Sequence, residues 1–483
     1  MSRSPTRWPD GARRRSRPHN ARVLRRLLSA LLALAALAAV ASAPAAAAAP
    51  CPREARCLTV RVPLDRSGAV PGTVPMRAAV VQGRDRRSAP LVMLTGGPGQ
   101  SGVSFTRDWW LLLGLTGVRR TFVTVDVRGS GDSGLLRCPA FERAIAVDPA
   151  ASGGGCGRSL GVRRAFYRSS DTAEDLEALR IRLGVPKLAI LAVSYGTRIA
   201  VEYARRFPDR TDRVILDSAV ADDADAFVGE TFAAVPRVLR ELCRESCPGG
   251  GANPDADVAR LARRLEAQPV TVRVRGRRIR LDEDRILGTL ISSDLVPQLM
   301  HPYPGAVRAA LAGRPQALAE LTADTDELNE IGPIREFSPA LYAATLCEEA
   351  PLAWDRAAAP AVRRQQALAA LGARPESAFA PFTRDAAIEA GLLPLCATWP
   401  APVRPAPADP PAATPVPVLV LSGLLDLRTP LEAAQRLATT LGNATVVTAV
   451  GVGHSVYGAS LRNCATRSVA GFLRGRLPSC ARR

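Results

Sequence analysis

Four short runs in the chain are apolar without alternation: 91–94, 188–193, 214–216 and 418–421. Unbroken runs of this length suit strands buried on both faces of a parallel sheet. A further strand is expected over 121–126, and 444–450 follows the same series near the end. By contrast, 58–62 and 74–81 read as opening antiparallel strands separated by a Gly/Pro-rich turn. Between the strands the apolar period changes to that of a helix. Ile199, Ala200, Tyr203, Ala204 and Phe207 repeat at helical spacing until Pro208 stops them. Helices are also predicted over 172–183, capped by Asp171 or Thr172, over 431–441, and from about residue 461 onward. Strand, helix and strand alternate over 90–217, which argues for a parallel sheet covered on both faces. That alternation stops at 221 and resumes after a proline-rich connector over 400–417. The intervening stretch is rich in Ala, Arg and Leu, mostly helical in period and broken by prolines. The pattern therefore predicts an α/β fold with a mostly parallel sheet and an inserted, mainly helical cap. Its parts would be a core over 50–220, a cap over 221–400 and the rest of the core over 401–483.

The first 49 residues stand outside this scheme. They hold nine arginines and one aspartate, then an apolar run from Leu27 and an alanine-rich zone. A basic, apolar and small-residue succession is the pattern of a secretory signal peptide, here 1–49, with cleavage after Ala43, Ala47 or Ala49. Arg25-Arg26 leaves open whether export is of the general or the twin-arginine kind. Pro50 before Cys51 fits a lipid-anchor signal poorly, so no stable membrane insertion is expected after cleavage. Removing the leader lowers the formal net charge from +19 to +11, and Lys187 is the only lysine in the chain. The densest basic cluster, 272–280, alternates like a ribbon turning near Gly276. It lacks the interleaved aromatics or recognition motif of a nucleic-acid binder and reads as a solvated hairpin, so no nucleic-acid partner is expected. All ten cysteines lie beyond the leader. An even count in an exported chain suggests disulfides, and neighbour pairing gives 51–57, 138–156, 243–247, 347–396 and 464–480. Only two histidines follow the leader, so neither a zinc site nor any other metal or cofactor is expected.

Chemistry enters with Ala192-Val193-Ser194-Tyr195-Gly196-Thr197, where a buried strand meets a helix. A serine on such a sharp turn has its hydroxyl lifted clear of the sheet, with helix-start N–H groups beside it. Small residues are needed two places before and after it, and Ala192 and Gly196 supply them. A serine nucleophile needs a base, and the base an orienting acid. His454 lies in a glycine-bounded loop after the last strand, whereas His301 sits in the cap segment, where a turn or packing role is expected. Asp426 follows the strand at 418–421, and Asp217 is the reserve acid. The order Ser194, Asp426, His454 is that of α/β-hydrolases. The N–H of Tyr195 would be one oxyanion donor. The other would come from Thr95-Gly96-Gly97-Pro98-Gly99, with Gly97 the chosen residue. Asp126 and Arg128, in a second glycine loop, read as ions bracing that loop.

These motifs resemble the secreted tripeptidyl aminopeptidases and their proline iminopeptidase relatives among the α/β-hydrolases. The resemblance rests on Gly96-Gly97-Pro98-Gly99, the 126–133 loop, Ser194-Tyr195-Gly196-Thr197, the 423–430 loop and Gly451-Val452-Gly453-His454. Cys347-Glu348-Glu349, the 396–400 segment and the terminal Cys464 and Cys480 complete it. It implies hydrolysis at a free peptide N-terminus, with Glu349 and Glu348 of the cap holding the substrate ammonium. Thr95 stands where proline iminopeptidases carry His, and Ala192 replaces the first elbow Gly. Both departures count against narrow proline specificity. A secreted carboxylesterase with the same triad, or a non-catalytic binding protein on this fold, are the alternatives.

Overall fold

The computed structural model describes residues 50–148, 151–244, 247, 253–405, 411–459 and 463–476. The expected leader and its cleavage sites lie outside these residues. An eight-stranded sheet runs in the order β1-β2-β4-β3-β5-β6-β9-β10. Its strands are β1 (Arg56–Pro63), β2 (Thr73–Val81), β3 (Leu91–Leu94), β4 (Phe122–Val125), β5 (Leu188–Val193), β6 (Thr211–Asp217), β9 (Val418–Gly423) and β10 (Ala444–Ala449). β1 and β2 pair antiparallel, β2 joins β4 antiparallel, and every later pairing is parallel. The unbroken apolar runs behave as expected: β3 and β5 are buried at every position.

Helices cover the sheet: α1 (Thr106–Leu115), α2 (Ser169–Leu183), α3 (Gly196–Arg206), and later α6 (Leu431–Leu441) and α7 (Cys464–Phe472). Ile199, Ala200, Tyr203 and Ala204 of α3 are all buried, and Pro208 lies just past its end. Between β6 and β9 the chain is mainly helical. α4 (Gly229–Leu242) opens this stretch and α5 (Pro339–Glu349) lies deep within it. It also holds the small antiparallel pair β7 (Val270–Val274) and β8 (Arg277–Leu281). That ribbon's arginines are exposed, with Arg275 paired to Asp324 and Arg280 to Asp282. No helix among the described residues is long and apolar enough to cross a membrane.

Among the described residues, disulfides join Cys51–Cys57, Cys138–Cys156, Cys243–Cys247 and Cys347–Cys396. All are neighbour pairings, as anticipated. The remaining one, 464–480, involves a position outside the described residues. Asp126 and Arg128 brace their loops. Asp126 accepts from Ser101 Oγ at 2.6 Å and from the N–H groups of Val103 and Asp132 at 3.0 Å each. Arg128, fully buried, holds Asp175 through two nitrogens at 2.6 and 2.7 Å and donates to the carbonyls of Leu64 and Phe166.

Candidate active site

β5 ends at Val193, and Ser194 turns the chain into α3 with φ of 53°. A non-glycine residue in the left-handed region carries strain that the surroundings must hold in place. Here the Ser194 N–H donates to the Asp217 carbonyl at 2.9 Å, and the Ser194 carbonyl accepts from Thr197 N at 2.9 Å and Thr197 Oγ1 at 2.6 Å. Gly196 is required by close approach: a Cβ there would lie 2.6 Å from the Thr95 carbonyl oxygen and 2.7 Å from that of Leu94. Ala192, by contrast, is buried within the strand with its methyl accommodated.

Parallel register carries the other groups to the same sheet edge. β6 ends at Asp217, and the Ser218 N–H donates to Leu421 of β9 at 2.9 Å. Ser218 Oγ accepts from the Ser455 N–H at 2.9 Å, which draws in the loop that carries His454. His454 Nδ1 lies 3.2 Å from Asp426 Oδ1 and 3.1 Å from Oδ2. Asp426 also accepts from the N–H groups of Arg428 and Thr429 at 3.0 and 2.9 Å and from Thr429 Oγ1 at 2.8 Å. Burial alone would raise the Asp426 carboxyl, but the His454 charge and these hydrogen bonds outweigh it and hold it below the usual range. Burial would lower the imidazole, yet Asp426 and, behind it, Asp294 raise it above the ordinary value. No hydrogen bond joins Ser194 Oγ to His454 among the described residues; in such pairs the bond often tightens only once substrate is bound.

Asp217, the reserve acid, is otherwise engaged. Its oxygens accept from the N–H groups of Val456 and Tyr457 at 2.7 and 2.9 Å, and burial pushes it up to about 6. His301 is exposed in a turn.

The glycine loop after β3 packs directly on the serine. A Cβ on Gly96 would fall 2.9 Å from Ser194 Cβ. Gly97 has φ of 107°, a backbone only glycine adopts freely. The N–H groups of Gly97 and Tyr195 have no acceptor among the described residues. The inserted segment also reaches this loop: Ser101 N donates to the Glu336 carbonyl at 2.8 Å and Ser338 N to that of Gly99 at 3.0 Å.

Glu348 and Glu349, at the end of α5, are the residues to which the resemblance assigns the substrate ammonium, and both carboxylates have partners within the chain. Glu348 is buried, 3.1 Å from Arg164 Nε and 3.5 Å from Arg168, and accepts from Trp399 Nε1 at 2.8 Å. Glu349 accepts from Tyr195 OH and Ser169 N at 2.6 Å each and from Ser169 Oγ at 2.9 Å, with Arg198 Nε at 3.3 Å. Arginines compensate the charge of both, so neither offers a bare anion. Glu349 still touches the elbow, because its partner Tyr195 is the residue after Ser194.

Two known families match this chain. That described as "alpha/beta hydrolase fold" covers residues 89–246, and "TAP-like protein" covers 380–480. The chain has the α/β-hydrolase fold. Tripeptidyl aminopeptidase of Streptomyces lividans is 30% identical over 36% of this chain and 37% of its own length. Serine protease Hip1 of Mycobacterium tuberculosis is 27% identical over 60% of this chain and 56% of its own. The matches thus span only about a third to a half of these relatives. Proline iminopeptidase of Mycobacterium smegmatis aligns with 86% of the chain at 16% identity and a TM-score of 0.38, too loose a likeness to bear on function.

Two residues of this candidate site were not anticipated. Thr429 binds the carboxylate of Asp426 by both its N–H and its hydroxyl, and an Asp followed three places later by Thr is the signal that announces such a turn. Asp294 belongs to a short turn of the inserted segment and has no local signature. Its side chain, Asp426 and His454 place ligand atoms within 4.8 Å of one another. The cleft of about 680 Å³ lined by Pro90, Lys187 and Asp212 lies at the opposite end of the strands from Ser194.

Proposed function

We propose that this chain is an exported serine peptidase acting at the free N-terminus of peptides. The observation that carries the reading is the convergence on one sheet edge of a strained serine elbow and a buried His–Asp pair. Ser194 attacks the scissile carbonyl while His454 takes its proton and Asp426 holds the imidazole and stabilises its cation. The N–H groups of Tyr195 and Gly97 receive the oxyanion, the leaving amine takes the proton from His454, and water then cleaves the acyl-enzyme. The tripeptidyl aminopeptidase match and the four disulfides support peptide substrates and an oxidising destination. Parts over 50–220, 221–400 and 401–483 remain the proposed division of the chain. Recognition of the ammonium falls to Glu349, which would exchange the partly exposed Arg198 for the substrate cation.

Compensation of both carboxylates by arginine favours a second reading, an esterase or endopeptidase with no need of a free amine. Rates on chromogenic peptide amides with free and acetylated N-termini, beside simple esters, decide between them. The aminopeptidase reading expects the free amine to be preferred about 10- to 150-fold, the worth of one charge-assisted hydrogen bond, and Glu349→Gln to erase most of that preference. Equal rates on both peptides would leave the second reading in place. Ser194→Ala should cost on the order of 10⁶ in kcat on any substrate, and wild-type turnover in that variant would end the hydrolase mechanism.

A further inference from the structure

We infer that Asp294 is a positioning residue for the acid and the base, supplied by the inserted segment rather than by the sheet. It rests on the serine-hydrolase reading and adds a fourth member to its machinery. The Asp294 carbonyl accepts the N–H of His454 at 2.9 Å. Its carboxylate accepts the N–H groups of Leu427 and Arg428 at 3.1 and 3.3 Å and meets Arg428 Nε at 2.9 Å. One residue thus grips both loops, main chain to main chain on the histidine side and side chain to main chain on the acid side. The fit is close, since a Cβ on Gly453 would lie 2.0 Å from the Asp294 carbonyl oxygen. Asp294 is fully buried, as is Asp426, and a buried carboxylate is held there only by such partners.

The arrangement also sets the field at the imidazole. His454 faces Asp426 and Arg428 of the acid loop, Asp294 of the inserted segment, and Asp217 at the end of β6; Tyr342 lies near Arg428. The Asp294 carboxylate favours the imidazolium and Arg428 opposes it. Removing the first charge must move the acid limb of kcat/KM to lower pH, and removing the second must move it to higher pH.

Three variants test this: Asp294→Asn, Arg428→Gln and the double change. Each is followed by kcat, KM and the pH profile of kcat/KM on one chromogenic substrate, with thermal unfolding as the check on folding. Asp294→Asn is expected to lower kcat about 10- to 100-fold with KM little changed, the loss of one charged hydrogen bond, and to shift the acid limb down. Arg428→Gln should shift it up, and the double variant should return it toward wild type. A role in stability alone would lower the melting point of both single variants without moving their limbs in opposite directions. Limbs that stay put, or kcat unchanged in Asp294→Asn, overturn the inference. If Asp294→Asn does not fold, Arg428→Gln decides: an upward limb supports the inference and any other result overturns it. Failure of the hydrolase reading is separate, for it would show as a wild-type rate that survives Ser194→Ala.

Discussion

Asp426→Asn tests the His–Asp pair at the level of single atoms. Oδ1 of Asp426 accepts two backbone N–H groups, from Arg428 and Thr429, Oδ2 accepts from Thr429 Oγ1, and His454 Nδ1 lies 3.2 Å from Oδ1 and 3.1 Å from Oδ2. An asparagine keeps its carbonyl oxygen toward the two N–H donors, because the reverse orientation would set donor against donor. Its amide NH₂ then occupies the Oδ2 position, 3.1 Å from Nδ1. A donor there removes the nearer acceptor of the Nδ1 proton and leaves only Oδ1, which already takes two N–H groups. The tautomer with its proton on Nε2 is then favoured, and Nε2 is the nitrogen that must be bare to take the proton of Ser194. The expected loss in kcat is on the order of 10⁴, as for the same change in other serine hydrolases. Binding contacts to the substrate are untouched, so KM should move little. The assay is steady-state turnover on a chromogenic peptide amide, with circular dichroism to show that the variant is folded. A folded variant within about tenfold of wild type would remove Asp426 from the mechanism. The matching change Asp217→Asn should behave differently. It disturbs one of two N–H bonds at Val456 and Tyr457 and should lower the melting point before it lowers kcat.

Because Asp426 and Asp294 raise the imidazole, and His454 must be neutral to act as base, kcat/KM should fall as pH drops through a midpoint above the ordinary histidine value of about 6.5; a midpoint at or below that value would contradict the electrostatics. Gly196→Ala should cost about 1–3 kcal/mol or more in denaturant unfolding, since the new methyl meets two backbone oxygens inside 3 Å, and an unchanged midpoint would refute the close packing of the elbow on β3. Cys396→Ala opens a bridge spanning 49 residues and should cost about 4 kcal/mol of stability; a variant as stable as wild type would argue against that bridge. The exported form is expected to begin between Pro44 and Cys51 by intact mass, and a retained leader with free thiols would contradict export.

Strands and core helices were legible because their burial writes itself into periodicity. β3 and β5 coincide with their apolar runs, and the helix at Leu431–Leu441 matches its predicted bounds. α1 was missed because Trp109 to Leu113 is a solid apolar block in which Trp110 and Leu111 remain exposed, so no helical stripe stands out. Ser194, Asp426 and His454 were each marked by a local motif at a strand end, where parallel sheets gather their loops. The surroundings of Glu348 and Glu349 were not legible. Arg164, Arg168, Arg198 and Ser169 lie at least 150 residues away in sequence, and nothing local reveals that they fill those carboxylates. Asp294 escaped for the same reason, since its partners are more than 130 positions distant.

These misses share a cause that bears on mechanism. The inserted segment contacts each loop of the proposed site, by main chain at the glycine and histidine loops and by side chain at the acid loop and Tyr195. Glu336 and Ser338 pair with the glycine loop, Asp294 holds the histidine loop and the acid loop, and Glu349 holds Tyr195. A lid that merely covered the entrance would leave the chemistry intact when loosened and would change substrate affinity alone. Here the proposed oxyanion loop and the proposed acid–base pair both take part of their geometry from the insertion. Catalytic groups must be held within fractions of an ångström, so such loosening should appear in kcat as well as KM. The entropic cost of a long insertion grows only with the logarithm of its length, which makes it an inexpensive place to vary specificity. In this chain, however, that freedom is restricted at Asp294, Glu336, Ser338 and Glu349. Under the proposed mechanism, loosening these four contacts should lower kcat, whereas changes elsewhere in the segment should act on KM first.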